Sequence, residues 1–87
     1  MTDDQERTRQ AVRVKQVHEA ELMAKANVLG VGVGLRQTAA GQAEVALVVL
    51  VRRKVPAAEL AAADRIPRHL DGVPVDVQEV GDVEARR

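Results

Sequence analysis

The chain predicts a small single α+β domain, with helices packed on a three-stranded mixed sheet in the order α-β-β-α-β. Three observations carry this expectation. Residues 3–26 contain no Gly or Pro and are rich in the helix formers Glu, Gln, Arg, Lys and Ala. Residues 27–37, NVLGVGVGLRQ, alternate with the period of two that marks a strand. A β-branched run, EVALVVLV at 44–51, follows at hairpin distance, and a third Val-rich run at 73–80 comes after a connection marked by prolines.

The helix opens on Thr2, Asp3 and Asp4, an acidic start that suits the positive end of a helix dipole. Its apolar residues Val12, Val14, Val17, Leu22 and Met23 scatter around the wheel instead of forming one stripe. The expectation is therefore a helix whose second half, residues 15–26, packs on the domain. Its first turns fray or pack on something outside this chain. No clean heptad is present, so a coiled coil is not expected. The resulting division is a polar helical arm at 1–14, one domain at 15–80 and a polar tail at 81–87.

In the first strand Leu29, Val31, Val33 and Leu35 fall on one face. Val28, Gly30, Gly32, Gly34 and Arg36 fall on the other. Three glycines make that second face nearly flat. Because glycine weakens a strand interior, they call for a reason such as close approach of a helix or of another subunit. Residues 38–43, with Gly41, read as a hairpin loop. The run 44–51 is apolar on both faces and should be the most buried strand. Arg52, Arg53 and Lys54 end it. Pro56 suits the first turn of a short helix over 56–64, and Pro67 breaks it. Residues 68–70 read as one more turn before Asp71-Gly72. In the last strand Pro74 lacks a backbone donor, which points to an edge. The strand–helix–strand connection should cross over right-handedly. The third strand then runs parallel to the second, beside it, or lies beside the first with the opposite sense. Such a sheet keeps two open edges and one face that is hard to cover.

Composition excludes most chemistry. The 87 residues include no serine, no cysteine and no aromatic side chain. Serine and thiol nucleophiles are absent, as are thiolate zinc ligands and disulfides and the rings that stack nucleic-acid bases. Formal net charge is zero, so no global field draws nucleic acid or an anionic membrane. The signs are nevertheless segregated. Arg36, Arg52, Arg53, Lys54, Arg65 and Arg68 dominate the middle, while Asp71, Asp76, Glu79, Asp82 and Glu84 follow without a base among them. This split is compatible with self-association or with neutralisation inside the monomer. No apolar run approaches the ~20 residues of a membrane span, and the polar amino terminus is no signal peptide. The expectation is a cytoplasmic protein.

GVGVG at 30–34 lies inside a strand and is followed by another strand, whereas a phosphate loop ends a strand and opens a helix. Nucleotide binding is not expected. His18 with Glu21 and His69 with Asp71 are too few ligands for a metal site. Arg52-Arg53-Lys54 is either a docking point for an acidic surface or a solvated strand end. No pair of carboxylates is singled out for acid–base work, and no catalytic residue, metal or cofactor is assigned. The candidate interface is Gly30, Gly32 and Gly34 with Arg52, Arg53 and Lys54.

One combination of residues resembles a known family. Lys25-Ala26-Asn27-Val28 leads into Gly30-Val31-Gly32-Val33-Gly34. Val55-Pro56, Glu59-Leu60, Asp64-Arg65-Ile66-Pro67 and the run from Leu70 to Val77 follow the Val-rich strand. Over residues 22–80 this is similar to the amino-terminal region of bacterial trypsin-like peptidase-related proteins. There the catalytic Ser, His and Asp lie downstream, so none is carried over. The resemblance implies a non-catalytic accessory domain. The expected function is a protein-interaction or self-assembly module, with a homo-oligomer or another protein as partner. The alternatives are a regulatory partner of a separate trypsin-like protein and a small-ligand binder.

Overall fold

A computed structural model describes residues 3–81. One helix, α1 (Asp3–Met23), packs on one face of a four-stranded mixed sheet. Its strands are β1 (Val28–Gln37), β2 (Ala43–Val51), β3 (His69–Leu70) and β4 (Val73–Glu79). The spatial order is β1-β2-β4-β3. β1 and β2 form an antiparallel hairpin, β4 lies parallel beside β2, and β3 is antiparallel to β4. The domain is thus α+β as expected, with four strands instead of three and one α-helix instead of two.

The helix does bury one stripe. Ala11, Val14 and Leu22 are buried, and the half-buried His18 fills the fourth position of the spacing 11-14-18-22. A small residue and a polar one on that stripe hide it from a hydrophobicity count, while Val17 on the outer side is 71% exposed. α1 runs unbroken through residues 3–14, and Ala11 and Val14 belong to the core. The packed part of the helix therefore begins at Ala11, four residues before the expected boundary, while residues 5–10 are helical and exposed. Residues 1–2 of the expected arm, and 82–87 of the expected tail, lie outside the described residues.

Asn27 turns the chain from α1 into β1. Its φ is +78°, the left-handed region that asparagine tolerates better than most residues. β1 then pairs with β2 from Val28↔Val51 to Gln37↔Ala43, with a bulge between Val28 and Gly30. The extra residue changes the phase of the alternation. Val28 therefore packs against the core with Val31 and Val33, not with the glycines as simple alternation predicts. On β2, Val45, Leu47, Val49 and Val51 are buried beneath α1, and Val73 and Val75 of β4 complete the core. β2 is the central, most buried strand that its composition predicts.

The connection from β2 to β4 departs most from expectation. Residues 56–64 form two separate 3-10 turns, Ala57–Glu59 and Ala62–Asp64, not an α-helix. The second begins at Ala61 without a side-chain cap. Leu60 is the one large apolar residue between 57 and 64. A nine-residue helix with so little to bury falls below the length at which helices hold themselves. Residues 68–70, expected as a turn, contain β3. Asp71 (φ +50°) and Gly72 (φ +84°) close a two-residue hairpin, in which both central residues need positive φ. Pro74 does not mark an edge. β4 lies between β2 and β3, and the ladder to β2 starts one residue later, at Val75. The proline therefore removes no donor from that ladder.

Candidate functional site

α1 packs on the core face, and so do Ile66 and Leu70 of the connection. No helix or strand among the described residues crosses the other face of the sheet. On that outer face Gly30, Gly32 and Gly34 of β1 stand opposite Leu50, Val48 and Ala46 of β2. Of the two reasons the sequence offers for the glycines, a helix or another subunit, no helix approaches them. They admit side chains of β2. A Cβ on Gly34 would lie 3.1 Å from Val48 Cγ2, and one on Gly30 would lie 3.5 Å from Leu50 Cδ1. A Cβ on Gly32 would meet nothing within 4 Å. Val48 and Leu50 remain half-buried, Ala46 is fully buried, and the strip they form is apolar.

Polar groups border this strip. At the hairpin end Arg36 Nε donates to Glu44 Oε2 at 2.7 Å, neutralising both charges in place. On β4, Gln78 Nε2 donates to Asp76 Oδ2 at 2.9 Å. β1 is the outermost strand on its side. From Val28 to Leu35 it carries no charged residue. Leu35 is 65% exposed and Leu29, at the bulge, 37%.

Arg52, Arg53 and Lys54 leave the end of β2 with their backbone held on several sides. Arg52 N donates to Asn27 O at 2.9 Å, and Arg53 N to Asn27 Oδ1 at 3.2 Å. Asn27 Nδ2 returns a bond to Arg53 O. Lys54 N donates to Glu79 Oε1 at 2.9 Å. The carboxamide of Asn27 thus extends the β1–β2 ladder by imitating a peptide group. Of the glycines only Gly30, opposite Leu50, is near this end, whereas Gly34 faces Ala46 well inside the hairpin. The six candidate residues therefore do not make one patch.

Arg53 and Lys54 instead border an open cleft of about 240 Å³ on the core side. It is lined by Val51, Val55, Leu60, Ile66 and Val77 among others. One wall is fixed by Ala26 N donating to Asp64 Oδ1 (2.9 Å) and Lys25 Nζ donating to Ala63 O (2.7 Å). Its lining comes from separate parts of the chain, so no local pattern announces it. Among the described residues no buried side-chain polar atom lacks a partner, and so none is aimed into the cleft for a ligand.

The two histidines part company. His18 bridges Asp71 and Glu21 at 2.9 and 3.1 Å, whereas His69 is exposed opposite Pro74. The hydrogen bond to Asp71, then that to Glu21, raises the His18 pKa above its ordinary 6.5, against a smaller opposing effect of burial. Among the described residues no group of three or more His, Asp or Glu is placed to hold a metal ion. No described helix is long and apolar enough to cross a membrane.

No family model matches the chain, and no match is found among curated proteins or solved structures. The resemblance to the trypsin-like group therefore stands on the residues quoted for it alone.

Proposed function

We propose that this domain is a non-catalytic protein-interaction or self-assembly module, working through the outer face of its sheet and the adjoining edge of β1. The observation that carries this reading is the one-sided packing. α1 packs on the core side, while Val48 and Leu50 stand half-buried over a glycine-flattened strip. Completing the burial of two half-buried aliphatic side chains would contribute about 1 kcal/mol each. A surface of this kind, apolar within and polar at its border, has the anatomy of a protein interface.

The test is sedimentation equilibrium across a wide concentration range on the wild type and on Gly32→Lys, which sets a charge on β1 where the outer face meets the open edge and where a side chain meets open space. The wild type should associate. The variant should keep its circular dichroism spectrum and associate at least tenfold more weakly. A wild type that stays monomeric into the high micromolar range would overturn self-assembly.

A further inference from the structure

We propose that the partner is a second copy of this chain, and that the two pair β1 to β1 in antiparallel register about a two-fold axis at Gly32. Two four-stranded sheets then become one of eight. This rests on the reading that the domain self-assembles, and it names the contact.

The two ends of the sheet differ in how they are guarded. Soluble proteins blunt exposed edges with charge, proline, bulges or very short strands. The far end has such devices. β3 is two residues long, and beyond it β4 displays Asp76, Gln78 and Glu79. β1 is ten residues long, contains no proline, and is uncharged up to Arg36, which is paired with Glu44. Its bulge is confined to Leu29, leaving a regular strand from Gly30 to Gln37. Its backbone edge is the longest unguarded one among the described residues.

The register follows from the sequence of that edge. With Gly32 opposite its own copy, Gly30 faces Gly34 of the second chain and Val31 faces Val33, so the regular ladder runs from Gly30 to Gly34 and Leu35 reaches the bulged Leu29 just beyond it. A slip of one residue sets glycine against valine and brings core-facing positions onto the outer side. A slip of two leaves one glycine facing Val28 or Arg36. Parallel pairing would set Arg36 beside its own copy. The antiparallel register places the two arginines eight positions apart, roughly 27 Å at ~3.4 Å per residue. Net charge is zero, so no overall repulsion opposes the contact. The interface is self-complementary, as a two-fold contact requires.

The chain has no cysteine, which makes a single introduced thiol unambiguous. Gly32→Cys places its Cβ in open space, so the fold accommodates it. Directly opposed residues in an antiparallel pair lie ~4.5–5.5 Å apart at Cα, within disulfide range. Under mild oxidation Gly32→Cys should form a disulfide dimer at least tenfold faster than Val48→Cys or the exposed helix control Gln16→Cys. Labelled with a nitroxide, the same thiol should show strong dipolar broadening, a readout that does not need disulfide geometry. Gly32→Lys should weaken association at least tenfold without changing the circular dichroism spectrum. If the wild type associates but Val48→Cys cross-links fastest, the sheets stack face to face; self-assembly stands and edge pairing is overturned. If the wild type associates while Gly32→Cys neither cross-links faster than Gln16→Cys nor broadens, edge pairing is likewise overturned. A wild type that remains monomeric overturns both.

Discussion

His18 of α1 and Asp71 of the β3–β4 turn are joined by a 2.9 Å hydrogen bond across 53 positions of sequence. Gln10 adds a second tie, its Nε2 donating to Asp71 O at 3.1 Å. The imidazole is 20% exposed and occupies the buried stripe of α1. One polar side chain thus fixes the azimuth of the helix against the hairpin that holds β3.

This contact makes stability depend on pH. The pKa of His18 is raised in the folded state, first by Asp71 and then by Glu21. Arg13 borders the same hollow as Asp71. A raised folded pKa means the folded state holds the proton more tightly. The stabilisation is complete below the unfolded value of 6.5 and is lost as pH rises through the higher folded value. The melting temperature should therefore fall as pH rises above about 6.5. His18→Gln should flatten that slope. A wild-type profile as flat as that of the variant would show that the pair contributes nothing to stability.

Asn27 supports two prominent features at once, a left-handed backbone and a side chain paired with Arg53. Alanine loses the two hydrogen bonds and tolerates positive φ poorly, so Asn27→Ala should cost about 2 kcal/mol. Glycine loses the bonds but accepts the backbone, so Asn27→Gly should cost about 1 kcal/mol. Urea titration should rank wild type above Gly above Ala. Equal losses for the two variants would mean that φ carries no strain.

The sequence discloses this fold where a local period exists. The β1–β2 hairpin and the central position of β2 are legible because period two persists over both strands. The helix stripe is not, because Ala11 and His18 occupy positions where a pattern search seeks large apolar groups. β3 has only two residues, too short for any period; Asp71-Gly72 between Leu70 and Val73 is the hairpin signal that could have revealed it. The glycines were readable as a flat surface, but their partners Val48 and Leu50 lie about fifteen to twenty positions away on β2. The end of β2 carries Arg52, Arg53 and Lys54 away from Gly34, a separation visible only once the strands are paired. The core-side cleft depends on five separate segments and leaves no trace in any one of them.

The helix offers a test of which face is buried. Leu22 is buried in the core and Val17 is largely exposed. Leu22→Ala should cost about 2–4 kcal/mol, and Val17→Ala less than about 0.5 kcal/mol. Chemical denaturation at one protein concentration measures both. Comparable losses would show that α1 is rotated from the orientation described.

The glycines of β1 should differ from one another in a way composition alone does not predict. Glycine in a strand interior is disfavoured by about 0.5–1 kcal/mol relative to alanine. At Gly32 the new methyl meets open space, so Gly32→Ala should gain that amount. At Gly34 it would stand 3.1 Å from Val48 Cγ2, and Val48 must give way. Gly34→Ala should therefore bring no gain. Removing the obstacle should restore it: in a Val48→Ala background Gly34→Ala becomes favourable, with a coupling of at least about 0.5 kcal/mol in the double-mutant cycle. Because association would add its own stabilisation, all four proteins of the cycle are compared at a single low concentration. Additive effects would mean that Val48 does not lean over Gly34, and that the flat strip of β1 has some use other than seating the side chains of β2.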